Sequence, residues 1–184
     1  MYRIGTGFDV HAFKPGKKIV LCGIEIPFVK SLAVHSDAVV ALHSLTDAIL
    51  GALALGDIGL HFPDTDTKWR GADSVIFLRC SLEKAKQMNF KLANIDLTII
   101  CEKPKINNYR QQLLFNLSKI CTLEYEKINV KATTTERLGF IGREEGMASI
   151  CSVLLHETSS VSYTHLRAHE TPEHRGCRLL LEKK

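Results

Sequence analysis

Apolar and polar residues change places along residues 2–13, YRIGTGFDVHAF, in the manner of a strand, with Gly5 and Gly7 inside the run. Residues 17–28, KKIVLCGIEIPF, hold two short apolar runs around Cys22-Gly23 and predict a hairpin. The spacing then lengthens to that of a helix over residues 35–57, with Ser36 or Asp37 placed to cap its start and Gly56 placed to stop it. Residues 56–73, GDIGLHFPDTDTKWRGAD, lose both periods and gather Gly, Pro and Asp, which predicts a long loop. A second helix is predicted over 73–90, a strand over 91–106 ending at Pro104, and a third helix over 107–123. A strand over 127–140 runs into a threonine-rich turn, and a last strand covers 142–157. Helices alternating with strands indicate one α/β domain, or α+β with the helices on one sheet face.

The last 26 residues break the pattern. SSVSYTHLRAHETPEHRGCRLLLEKK has neither period, and its His165, His169, His174 and Cys177 match no common zinc-finger spacing. The segment resembles a stray tail carried by unrelated proteins, a translation of sequencing-adapter DNA. The domain is therefore expected over 1–158, with 159–184 a non-native or disordered tail. That tail carries five Lys/Arg and three Glu, and so +2 of the chain's formal +4.

Composition narrows the classes. A length of 184 residues fits one domain with a real core. The net charge is too small to argue for nucleic acid, and no apolar run reaches the ~20 residues of a membrane span. Strand-like sequence from Tyr2 leaves no visible signal or transit segment, so a cytoplasmic protein is expected. The six cysteines are scattered through apolar stretches without a CxxC pair, as expected of reduced, buried thiols.

Candidate chemistry falls in two groups. Residues i and i+2 of a strand share a face, so Asp9 and His11 can aim at one point. They are either two metal ligands or the polar end of a strand. His43, mid-helix in ALHSLTDA, is the candidate third ligand, and three protein ligands with an open fourth position are the catalytic zinc pattern. Asp47, one helical turn on, either orients the His43 imidazole or is a surface charge. His35 is a third-shell group, a general acid, or without a role. The second group is ATTTERLGFIGREEG, where Thr133, Thr134, Thr135, Arg137 and Arg143 are donors suited to phosphate. Glu136 among them would repel phosphate unless a divalent cation sat between, and the competing reading is a strand cap with a solvated turn. Asp57, Asp64 and Asp66 can grip a hydroxyl or a metal, or make Asx turns. Lys103 and Lys105 stand at a strand end where a base or phosphate could be held.

Taken together, RIGTGFDVHAF, HSDAVVALHSLTDAILGALALGDIG, FPDTD, GADS and NVKATTTERLGFIGREEG follow one order with close spacing. Over residues 2–157 the chain resembles the 2-C-methyl-D-erythritol 2,4-cyclodiphosphate synthase family of the non-mevalonate isoprenoid pathway. That resemblance implies a lyase, in which the 2-phosphate of 4-diphosphocytidyl-2-C-methyl-D-erythritol 2-phosphate attacks the β-phosphorus and CMP leaves. It implies zinc, or another divalent transition metal, on Asp9, His11 and His43, with Val10 also at the substrate. His35 and Ser36 would contact substrate, and His35 and Thr134 would be the catalytic pair. Asp57, Ile58 and Gly59, with Phe62, Pro63, Asp64, Thr65 and Asp66, would hold the methylerythritol. Cys101, Glu102, Lys103, Pro104, Lys105, Ile106 and Asn107 would line the cytidine pocket. Thr133, Thr134, Thr135 and Glu136 would hold phosphates, Glu136 with magnesium or manganese, and Phe140 and Arg143 would complete the site. The implied architecture is a mixed four-stranded sheet with helices on one face and a hairpin, in a homotrimer whose sheets face the threefold axis. Active sites would lie between subunits, and Arg143 paired with Glu145 would face an isoprenoid diphosphate on the axis.

The chemistry agrees with the residues. Attack of one phosphate on another brings anions together, and two divalent ions screen that repulsion. An ionised nucleophile and a fair leaving group leave positioning as the main task. Two other readings use the same residues. A metal-dependent phosphohydrolase needs a placed general base, for which only His35 and Asp47 offer themselves. A non-catalytic isoprenoid-diphosphate-binding trimer has no use for an open metal position. The chain departs from the family pattern at Ala38-Val39, where Gly-Asp is usual, at His61, where Leu is frequent, and through CEKPKIN.

Overall fold

The computed structural model describes residues 1–33, 39–63, 65–69 and 71–158. Ala38, His35, Ser36, Asp64 and the 159–184 tail lie outside them. Strands β1 (Tyr2–Pro15), β2 (Lys18–Leu21), β3 (Ile24–Pro27) and β4 (Lys30–Leu32) come first. Helices α1 (Val39–Ala52), α2 (Ile58–His61) and α3 (Ser74–Gln87) follow. Next come β5 (Phe90–Ile100), α4 (Arg110–Cys121), β6 (Ile128–Thr133), α5 (Gly139–Gly142) and β7 (Gly146–Glu157). The main sheet has the order β4-β1-β7-β5-β6, so the four long strands expected from the sequence gain a three-residue edge strand. The pairs β1–β7 and β5–β7 are antiparallel and β5–β6 is parallel, which makes the sheet mixed. β2 and β3 form the hairpin, turned by Cys22 and Gly23 at φ 49 and 79. Two successive positive φ values give the twist that suits a two-residue hairpin loop.

Strand alternation sorts the sheet into two faces. Ile95, Leu97 and Ile99 of β5 and Met147, Cys151, Val153 and Leu155 of β7 point inward and are buried. Helix α1 lies on this face, and Leu42, Leu45, Ile49 and Leu50 are fully buried. Each such side chain contributes roughly 1.5–3 kcal/mol of transfer free energy. Only Gly51 of the helix is exposed among its described side-chain positions, which marks α1 as a central rather than a surface helix. Gly5 and Gly7 let it come close: a Cβ at either would stand 2.0 Å from a helix carbonyl, that of Ala48 or Ser44. The outward face stays open, with Tyr2, Ile4 and Phe8 at 71%, 75% and 55% exposure.

Three predicted boundaries shift. Helix α1 ends before Gly56, because Ala54 takes the left-handed conformation at φ 59. The Leu55 N–H then reaches back to the Leu50 carbonyl at 3.0 Å, and Ala54 N–H to that of Gly51, closing the helix end. β5 stops at Ile100 rather than Pro104, since the chain bends into a loop with a cis Lys103-Pro104 bond. A short 3-10 turn, Ile106–Tyr109, precedes α4. Cys22, Cys101, Cys121 and Cys151 are buried free thiols and Cys80 is half-buried. Burial pushes Cys101 and Cys121 up to about 12, so these thiols stay protonated. No described helix is long and apolar enough to cross a membrane.

Candidate active site

β1 presents Asp9 and His11 on its inward face, and the glycine-permitted approach of α1 brings His43 over them. One ligand atom from each of the three lies within 4.8 Å of the others. Asp9 Oδ2 is 2.9 Å from His11 Nε2 and 3.4 Å from His43 Nδ1. Asp9 Oδ2 and His11 Nε2 are buried yet have no hydrogen-bond partner. Buried polar atoms are normally satisfied, so a pair left open and pointing at a third donor fits a bound cation. Burial raises the Asp9 carboxyl, but the adjoining His11 and His43 outweigh it and hold the group below the usual carboxylate range.

The far side of His43 is also fixed. Its Nε2 stands 3.2 Å from Ser74 Oγ, the first residue of α3, and Ser74 is fully buried. With a cation on Nδ1, Nε2 would carry the proton and donate to the hydroxyl. Asp47 takes a different part from the orienting one considered for it. Its Oδ1 accepts the Ile58 N–H at 2.7 Å and anchors the start of α2. Asp57 caps the same helix by accepting the Leu60 N–H at 2.9 Å. His61 Nε2 lies 2.8 Å from the Leu55 carbonyl, so this residue ties α2 to the end of α1. Beyond it Phe62 packs on Phe77 and Trp69 with ring centroids 4.7 and 5.0 Å apart, and Phe77 lies against His43 at 5.8 Å. Pro63, Thr65 and Asp66 form the turn that follows, with Asp66 N–H donating to the Pro63 carbonyl.

The second group lies elsewhere. A cleft of about 330 Å³ opens where β5 and β6 end side by side, lined by Cys101, Glu102, Pro104, Lys105, Ile106, Asn107, Ala132, Thr133 and Thr134. Lys103 turns away from it to pair with Glu144 at 3.0 Å. In the turn after β6, Thr134 Oγ1 donates to Glu136 Oε1 at 2.8 Å. Glu102 Oε1 accepts from Thr135 N, Thr135 Oγ1 and Arg137 N at 3.0, 3.2 and 3.2 Å. Arg143 grips Glu145 through two bonds of 2.8 and 3.1 Å, and Phe140 stands exposed one turn earlier on α5. β7 and β5 separate β1 from β6, about 14 Å at ordinary strand spacing. The metal-ligand triad and the cleft therefore lie on different strands of the sheet. Sequence reasoning gave no part to Ser74, Phe77 or Trp69. The Asp73-Ser74 pair opening a helix was the only visible signal for the first of them.

Comparison with known proteins agrees with this geometry. Residues 2–156 match the model of the YgbB family. The 2-C-methyl-D-erythritol 2,4-cyclodiphosphate synthase of Roseobacter denitrificans is 51% identical over 153 residues, 83% of this chain and 96% of that one. The bifunctional enzyme IspD/IspF of Paracoccus denitrificans is 54% identical over 153 residues, again 83% of this chain. The chain spans about 40% of the length of that bifunctional relative. A Plasmodium falciparum IspF structure in complex with CDP superposes with a TM-score of 0.76 at 34% identity, covering 86% of this chain and 97% of that one.

Proposed function

Because the chain belongs to the YgbB family, we propose that it cyclises 4-diphosphocytidyl-2-C-methyl-D-erythritol 2-phosphate to the 2,4-cyclodiphosphate and releases CMP. The observation that carries this reading is the open triad, in which Asp9, His11 and His43 converge and two of the three ligand atoms lack any other partner. These residues would hold zinc, which supplies positive charge against the phosphate oxygens. Glu136 belongs to no three-donor cluster among the described residues. It suits magnesium or manganese held jointly with substrate phosphates, the usual arrangement for a hard cation with few protein ligands.

The remaining residues bind and orient. The cleft at Cys101–Asn107 takes the cytidine, consistent with a CDP-bound relative of the same fold. Thr133 and Thr134 carry the hydroxyls set toward the diphosphate, and Thr135 anchors the turn that holds them. Asp57, Ile58 and Gly59, set by the Asp47 and Asp57 hydrogen bonds, carry the methylerythritol contacts with Phe62, Pro63, Thr65 and Asp66. His35, Ser36 and Asp64 are assigned to substrate by resemblance alone. Asp47 is engaged by Ile58, which leaves the hydrolase reading with His35 as its sole candidate base.

With the triad on β1 and the cleft at the ends of β5 and β6, the arrangement suits completion by a second subunit. The open outward sheet face, with Tyr2, Ile4 and Phe8 exposed, suits burial in an assembly. A homotrimer with the sheets inward and the exposed Arg143–Glu145 pair toward an isoprenoid diphosphate on the axis satisfies both. A cytoplasmic location belongs to the same reading.

The test is mass spectrometry of the products formed from the cytidyl substrate by purified protein with quantified zinc. CMP with a cyclic diphosphate is expected. Phosphate carrying solvent oxygen would establish the hydrolase instead. Light scattering should return the mass of a trimer.

A further inference from the structure

The turn after β6 holds two successive non-glycine residues in the left-handed region, Glu136 at φ 52 and Arg137 at φ 63. A side chain is penalised there because its Cβ crowds the backbone, so surrounding structure must hold such residues in place. Within the turn itself, the Leu138 N–H to Thr135 carbonyl bond of 2.9 Å spans both residues. Thr135 Oγ1 to the Leu138 carbonyl at 2.8 Å and Glu136 N–H to Thr134 Oγ1 at 3.3 Å add to it, and a further restraint comes from 33 residues upstream. Glu102 Oε1 accepts the N–H groups of Thr135 and Arg137, which flank Glu136, and the Thr135 hydroxyl as well.

We propose that Glu102 is a positioning residue that sets this turn, fixing the Thr134–Thr135 and Glu136–Arg137 peptide planes so that the Glu136 carboxylate meets Thr134. Without the shared acceptor the two peptide N–H groups lose their partner, and the left-handed pair relaxes toward ordinary conformations. Thr134 Oγ1 and Glu136 Oε1 would then lose the 2.8 Å register that sets the hydroxyl toward a phosphate group and the carboxylate toward a divalent cation. The three donors, led by the Thr135 N–H, also hold the Glu102 carboxyl below its ordinary range. Because one oxygen takes these bonds, an amide oxygen at the same position still offers the acceptor. The inference deepens the proposed function and depends on it only where turnover is read.

The experiment follows amide exchange at Thr135 and Arg137 in ¹⁵N-labelled full-length protein, together with CMP release from the cytidyl substrate. Glu102→Gln retains an oxygen acceptor and should keep exchange at both amides within about threefold of the parent. Glu102→Ala should speed exchange at the two amides by about tenfold or more and lower kcat/KM by at least as much. Exchange in β5 and β7 should not change. Adding Arg137→Gly to the alanine variant should recover part of the protection, because glycine meets no penalty at that φ. Unchanged exchange in Glu102→Ala would overturn the proposal. So would a folded Glu102→Gln protein that behaves like Glu102→Ala. Should the alanine protein not fold, the glutamine variant decides alone: a loss of exchange protection above tenfold at the two amides refutes the acceptor argument. A parent protein that releases no CMP defeats the functional reading, while the exchange data still decide the part of Glu102.

Discussion

Gly7→Ala should weaken metal binding although residue 7 touches no ligand of the metal. An added Cβ would sit 2.0 Å from the Ser44 carbonyl oxygen and 2.7 Å from the Ala48 nitrogen, both rigid backbone. Ordinary contact begins near 3.4 Å, so β1 and α1 must part by roughly 1.4 Å, the difference between the two distances. Overpacking of this kind costs about 1–3 kcal/mol. The same displacement carries His43, the neighbour of Ser44, away from Asp9 and His11. Metal–ligand distances tolerate about 0.2 Å, so binding must drag the helix back against the strain. Strain of about 1.4 kcal/mol recovered at binding lowers zinc affinity tenfold. Gly51→Ala in the same helix is the control. Nothing lies within 4 Å of its added Cβ, so it should stabilise by about 0.5–1 kcal/mol and leave zinc affinity alone. Urea denaturation in EDTA reads the stability, and competition with a chromophoric chelator reads the affinity. A Gly7→Ala protein with the parent's zinc affinity would refute the claim that close helix–strand approach builds the triad.

Ser74→Ala should lower zinc affinity by about 10–100-fold with little change in the metal-free melting temperature, since it removes the partner of His43 Nε2. The buried Ser44–Ser149 pair, 2.7 Å apart, should respond unequally in urea denaturation. Ser44 also donates to the Ala41 carbonyl, so Ser149→Ala costs little, whereas Ser44→Ala strands the Ser149 hydroxyl and costs about 1–3 kcal/mol. Burial raises the Asp47 carboxyl, followed by smaller opposing and reinforcing contributions from Ile58, Asp57 and Asp9. A raised folded value means stability present at low pH and lost as pH climbs through the folded value. The metal-free Asp47→Asn protein should therefore gain on the parent from about pH 4 upward in paired urea titrations, its amide oxygen still accepting from Ile58. A chain ended after Ser160 should match the full chain in light scattering and CMP release.

Much of the site was legible where chemistry follows from local periodicity. Asp9 and His11 share a face because strands alternate, and β1 was readable from its own residues. His43 was a candidate because its helix was readable too. Its closeness to Asp9 was not, because that depends on Gly5 and Gly7 admitting a helix that is distant in sequence. Asp47 shows the limit from the other side. Spacing of four placed it beside His43, yet its rotamer reaches across to Ile58, and i,i+4 geometry does not choose between neighbours on the helix and neighbours beyond it. Glu102 belonged to the cleft by resemblance, and its hold on the turn at 135–137 appears only once β5 and β6 pair in parallel.

The sequence alone determined the order and type of the longer elements, the strand face shared by Asp9 and His11, and the hairpin at Cys22-Gly23, while β4, α2 and α5 fall where it showed a loop or the end of a strand. These are consequences of short-range sterics and of residue period. Tertiary structure decided which surfaces meet. It placed α1 against the glycines of β1, set Ser74 behind His43, aimed Glu102 at a distant turn, and kept the triad and the cleft two strands apart. Each is a contact between residues far apart in the chain, fixed by packing that no local pattern encodes.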